Sequence, residues 1–351
     1  MKNEARGETG GGDRLLFPDL LRSLAICLVI GLHTVSSTVA DGSLLGTRVW
    51  WTCNVLGLVC RAGVPLFFMI SGYLLLSDPR TADPLSFYRR RLGRLLLPFL
   101  FWDAVCYLLR GLMGGEALSL KVFLQELAER GSDDHLWFLY QIFALYLLAP
   151  FLRMIVERAR RRDLWVLLGV VLLVPTVLRL VNIVQSYLWI APFKTPIEGY
   201  VGFFLLGYLL GTGETAPGTR YFSCVLALLA LVGAAWGNRF WSRPDRMNLF
   251  FNEGYALNHY FTASAFFLLA RSLETRLGEG WRKTAAAASG LSFGVYFCHM
   301  PLLRIWASLL TRWGLRTAPL PYLLCLFCLT ALSAALVAWV FSRLPVLRRL
   351  V

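Results

Sequence analysis

Charge is scarce in this chain: Asp, Glu, Lys and Arg together make up only 16% of its 351 residues. No polar stretch is long enough to fold as a soluble domain. No GxSxG, HExxH, P-loop or GxGxxG pattern stands in its proper context, which removes the serine-hydrolase, zincin and nucleotide-hydrolysing readings. The eight cysteines (Cys27, Cys53, Cys60, Cys106, Cys224, Cys298, Cys325 and Cys328) lie in or beside apolar runs and read as small packing residues. Cys325 and Cys328 form a CxxC without a second Cys or His pair, so neither a metal site nor a disulfide framework is expected.

What is present is hydrophobic length. Hydrophobic residues are 57% of the chain and mean hydropathy is +0.59. The apolar runs are about 18 to 25 residues long, as needed to cross a hydrocarbon core about 30 Å thick. They predict an all-α, polytopic membrane bundle of about ten helices, near 15–38, 48–76, 93–113, 135–156, 164–183, 196–213, 220–238, 253–271, 290–312 and 320–341. Pro65, Pro98, Pro150, Pro175 and Pro301 fall inside these spans and predict kinks. Residues 1–14, polar and glycine-rich, read as a disordered tail rather than a cleavable signal, and 15–351 as one transmembrane domain.

Basic clusters at "FYRRRLGR" (87–94), "ERARRRD" (157–163), "GWRKT" (280–284) and "RLPVLRRL" (343–350) fall on one side of this topology. The positive-inside rule then puts both termini in the cytoplasm. The net charge of +14 is accounted for by membrane orientation and contact with membrane lipids, and no nucleic-acid partner is expected.

Ionisable groups at membrane depth are costly and mark candidate sites. In "DLLRSLAICLVIGLHT" (19–34), Arg22 and His33 are eleven residues apart, three helical turns plus about 20°, so they share a face. Asp19 lies one turn before Arg22 on the same stripe. His33 sits about 16 Å further along the helix than Arg22. An imidazole there suits proton transfer from a hydroxyl. Structural readings stand beside this one: Asp19 and Arg22 pairing at the interface, and His33 bonding a carbonyl. Arg61 lies at a depth similar to His33, where it binds an anion or closes an ion pair. Arg91 and Arg94 are placed where a helix enters the bilayer, either holding phosphates or orienting the chain. His135 and Glu253 open helices on the outer side, where Asp133, Asp134 and Asn252 also stand at capping positions, and His299 lies mid-membrane.

The first of these segments resembles the signature of the bacterial acyltransferase-3 family. "CRAGVPLFFMISGYLLL" (60–76), "FYRRRLGRLLLPFLFW" (87–102), "HLWFLYQIFALYLLAP" (135–150), "GYVGFFLLGYLLG" (199–211) and "LSFGVYFCHMPLL" (291–303) are similar to family segments in the same order. The resemblance implies an O-acyltransferase of the bacterial inner membrane that carries an acetyl or other short acyl group from cytoplasmic acetyl-CoA to a hydroxyl of an extracytoplasmic glycan or lipid-linked sugar. It implies His33 as the catalytic imidazole, Arg22 as a donor-side contact oriented by Asp19, and Arg91 and Arg94 as the pair for CoA phosphates. Depth adds Arg61, His135, Glu253 and His299 as acceptor-binding residues. No metal is implied. Intramembrane charges also suit a transporter or exporter of a polysaccharide, lipid-linked sugar or amino acid.

Overall fold

The computed structural model describes residues 15–115, 117–129, 131–187, 200–214, 216, 218–248, 250–254 and 256–351, with side chains for all of these except 175, 178–180 and 182–187. The tail expected at 1–14, the start of the span expected at 196–213 and the Pro175 ring lie outside the described residues. Among the described residues twelve α-helices follow one another: α1 (Leu16–Ala40), α2 (Arg48–Cys60), α3 (Gly63–Ser77), α4 (Pro84–Gly114), α5 (Leu120–Glu129), α6 (Trp137–Arg158), α7 (Arg161–Tyr187), α8 (Tyr200–Thr212), α9 (Thr219–Trp241), α10 (Leu257–Ser272), α11 (Glu279–Arg312) and α12 (Pro319–Arg343). Short 3-10 turns join several of them, and no β-strand occurs among the described residues.

Among the described residues seven segments are long and apolar enough to cross a membrane: α1, α2 with α3, α4, α6, α9, α11 and α12. Helix α8 is apolar, with 13 described residues. Large apolar side chains stand exposed on α9 (Phe222, Leu228, Leu229, Trp236) and α12 (Leu324, Leu332, Leu336). Such surface is untenable in water and natural against lipid, so the protein is a multi-pass membrane protein.

The span expected at 48–76 is interrupted at Arg61 and Ala62. Pro65 is the cause: it cannot donate to the Arg61 carbonyl, and its ring crowds that carbonyl. Pro65 therefore sits in the first turn of α3 rather than in mid-helix, while Pro98, Pro150 and Pro301 do lie inside helices. Helix α5 escaped the hydropathy reading because it is short and amphipathic. Arg110 grips Glu126 with two 2.7 Å contacts, and the Tyr107 hydroxyl donates to the Ser119 carbonyl at 2.9 Å, fixing α5 on α4. Helix α10 begins at Leu257, four residues after the expected start, so Glu253 precedes it.

Helix α1 is the centre of the bundle, packed on α2, α3, α10, α11 and α12. Leu15 cannot cap its first turn with a side chain, and the Glu274 carboxylate does so instead, accepting from the Leu16 and Phe17 N–H groups at 3.1 and 2.7 Å. Helices α3 and α8 pack backbone to backbone. A Cβ on Gly72 would strike the Phe204 carbonyl, and one on Gly207 the Met69 carbonyl. Arg271 donates to the Leu210 and Gly213 carbonyls at 2.5 and 2.7 Å, and Arg161 to the Leu209 carbonyl, satisfying the end of α8.

Candidate active site

The stripe on α1 faces the interior at both ends. At its start Asp19 is buried and accepts from the Ser289 hydroxyl of α11 at 2.7 Å, with Arg22 Nη1 3.5 Å from the same carboxylate oxygen. Arg22 therefore does not simply snorkel: its partner is tied to a second helix.

Three turns on, His33 meets His299 of α11, ring centroids 5.3 Å apart, and His299 meets His135 edge-on at 5.1 Å. Three imidazoles from distant parts of the chain thus form one row. Tyr296 sets its geometry. Its carbonyl faces His299 Nδ1 at 2.6 Å and can only accept, so Nδ1 carries the proton and Nε2 presents a lone pair. Its hydroxyl donates to the His135 carbonyl at 2.5 Å. The Nε2 atoms of His299 and His135 are buried with no hydrogen-bond partner. His299 and His135 are buried, whereas His33 is half-buried, so His33 is the most exposed member of the row.

The row is anchored by a group the sequence reading took for a cap. Asp133 lies in the turn before α6, and its carboxylate stands 3.2 Å from His135 Nδ1, at ion-pair range, while Arg304 of α11 forks onto it at 2.6 and 2.9 Å. Burial alone raises the Asp133 carboxyl, but His135 and Arg304 outweigh it and hold it down to about 2. His135 is correspondingly in this turn and not at the head of α6, which starts at Trp137.

Arg61, which caps the C-terminal end of α2, lines a cavity of about 290 Å³ with Leu32, Trp137, Tyr200, Asn252 and Glu253. The Trp137 and Tyr200 rings lie 5.3 Å apart on its wall. Leu32 brings this cavity to α1 one residue before His33, and Arg61 acts electrostatically on His33. Three expected residues, His33, His135 and His299, are therefore brought together in the row, and two more, Arg61 and Glu253, line the neighbouring cavity.

Arg91 and Arg94 are not brought to one point. Arg94 lines a cavity of about 490 Å³ beside Phe293, Arg348 and Arg349, while Arg91 stands outside that lining, near enough to act, with Arg22, on the Tyr146 phenol. The sequence reading missed Asp133 as an anchor, and also Ser289, Tyr296 and Arg304. The signal existed in α11: Ser289, Ser292, Tyr296 and His299 recur at three- and four-residue spacing, a buried polar stripe. Among the described residues no group of three or more His, Cys, Asp or Glu is arranged to hold a metal ion.

A multi-pass helical membrane protein with a histidine row and buried charge at its centre is the class these features define. The chain belongs to the acyltransferase-3 family, whose profile, described as an acyltransferase domain, matches residues 15–339. No curated protein and no solved structure matches it.

Proposed function

We propose that this protein is an O-acyltransferase of the bacterial inner membrane, moving an acetyl or other short acyl group from cytoplasmic acyl-CoA to a hydroxyl of an extracytoplasmic glycan or lipid-linked sugar. The observation that carries this reading is the half-buried His33 imidazole at the head of the row His33, His299, His135, beside the Arg61 cavity. The quoted segments also resemble the O-acetyltransferase of enterobacterial common antigen, a resemblance that favours a sugar hydroxyl as acceptor.

The Arg22 end of α1 faces the cytoplasm, as do both termini, and the turns carrying Asp133 and Glu253 face outward. Arg94 and Arg22 offer guanidinium forks suited to CoA phosphates. The Trp137 and Tyr200 rings present apolar faces to a sugar, and Arg61 and Glu253 provide a donor and an acceptor for its polar groups. His33 takes the proton as the acceptor O–H bond breaks and the new oxygen–acyl carbon bond forms. The carbon–sulfur bond breaks, and the imidazolium returns the proton to the departing sulfur. His299 and His135, being buried, act by positioning and polarising His33 rather than by touching the acceptor.

Membranes carrying the protein, given acetyl-labelled acetyl-CoA and cell-envelope glycans and lipids, are expected to place label in an alkali-labile sugar ester. Movement of unmodified glycan driven by an ion gradient, without ester formation, would favour a transporter instead.

A further inference from the structure

The cavity of about 490 Å³ is built from two parts of the chain far apart in sequence: Gly93, Arg94 and Leu95 of α4, and the 3-10 turn Leu347–Arg349 that follows α12. That turn is held in place. Trp102 Nε1 of α4 donates to the Leu350 carbonyl at 2.9 Å, and Leu350 is buried. Val351 packs on Gly294 of α11 so closely that a Cβ there would fall 2.8 Å from the Val351 side chain. The docked turn delivers Arg348 and Arg349 to the cavity that Arg94 lines, with Phe293 of α11 as an apolar wall.

Among the described residues none of these three guanidiniums forms an ion pair, and the rest of the lining, Gly93, Leu95, Leu97, Phe293 and Val351, contains no Asp or Glu. Three like charges around one space favour a polyanion. Guanidinium forks match phosphate oxygens, and an aromatic wall suits a purine ring. Helix α11 also gives the register: Phe293 precedes His299 by six residues, about 9 Å of rise, so the cavity lies on the Asp19–Ser289 side of the imidazole row. Arg348 and Arg349 lie beyond residues 15–339, the part that matches the family profile.

We propose that the turn Leu347–Arg349 completes a phosphate-binding pocket with Arg94, and that its ligand is the nucleotide end of the acyl-CoA donor. This rests on the acyltransferase reading above. The same phosphate chemistry could come from an anionic lipid headgroup, and the test separates the two sources.

The full-length protein is placed in phosphatidylcholine nanodiscs, and binding of labelled CoA is measured by equilibrium dialysis. For R348Q/R349Q, CoA affinity is expected to fall about tenfold or more, while the KM for S-acetylpantetheine, which lacks every phosphate, stays at the wild-type value. R94Q, placed on α4 where it leaves the docked turn intact, is expected to lose CoA affinity likewise. Unchanged CoA binding in both variants, or equal losses for CoA and S-acetylpantetheine, overturns the proposal. So does a variant that binds CoA normally but loses the rise in melting temperature given by added phosphatidylglycerol, which assigns the pocket to a lipid. If the wild type binds no CoA while its melting is cooperative, the acyl-CoA reading falls with it; if the wild type binds CoA and both variants bind it equally well, the pocket proposal falls and that reading survives.

Discussion

The rings of His33 and His299 lie 5.3 Å apart on α1 and α11, and the hydrogen bond from His299 Nδ1 to the Tyr296 carbonyl fixes which nitrogen of His299 holds a lone pair. An asparagine at 299 keeps a donor for that carbonyl and removes the lone pair. H299N is therefore expected to melt like the wild type and to lose about 100-fold in transfer rate, with the pH profile of kcat/KM displaced and the KM for acetyl-CoA little changed. A packing role alone would lower the melting temperature and leave the pH profile where it was.

Asp133 is pulled down to about 2 by His135 and Arg304 against the opposing effect of burial. A carboxyl depressed in the folded state contributes stability that is complete above its ordinary value, near 4, and drains away as pH falls toward 2. Melting temperatures of wild type and D133N followed from pH 7 to pH 2 should begin to converge below about pH 4 and meet near pH 2. R304A leaves the buried carboxylate without its guanidinium and is expected to destabilise the protein by about 3 kcal/mol at neutral pH. Parallel melting curves across that range would dismiss the pairing as a source of stability.

The Asp19 carboxylate joins Ser289 of α11 to Arg22. D19N preserves an acceptor for the Ser289 hydroxyl and removes the charge facing Arg22. The expected outcome is a KM for acetyl-CoA raised about tenfold with a smaller change in kcat, read from initial rates. An unaltered KM would detach Arg22 from the donor.

At the contact of α3 and α8 there is no room for a methyl group: Gly207 lies against the Met69 carbonyl and Gly72 against that of Phe204. Overpacking against rigid backbone is expected to cost about 3 kcal/mol in G207A, visible as a lower melting temperature and reduced yield, whereas G218A, with nothing near its Cβ, should behave as wild type. Equal stability of G207A and wild type would mean that the helices separate readily.

The α1 stripe was legible because eleven residues is close to three whole turns, so Asp19, Arg22 and His33 had to share a face whatever packed on them. That His299 and His135 would meet His33 was not legible. Their depths were readable from position in each span, but which helices neighbour α1 depends on contacts between distant segments. The break at Arg61 was available in principle, since Pro65 forbids the bond to the Arg61 carbonyl; hydropathy counts residues and is blind to a missing N–H. Asp133 was mistaken for a cap because a carboxylate before a helix usually serves the helix N-terminus, and only the fold brings Arg304 to it. Arg91 and Arg94, one turn apart, read as a pair, yet the cavity takes Arg94 with Arg348 and Arg349 and leaves Arg91 outside.

In the proposed reaction His33 is the base that takes the acceptor proton. The most direct test of this role is the rate of acetyl transfer by purified H33A, in the same lipid and with a melting temperature matching wild type, from acetyl-CoA to the glycan acceptor. A fall of at least about 100-fold is expected, with acetyl-CoA still bound. Transfer at the wild-type rate would contradict it.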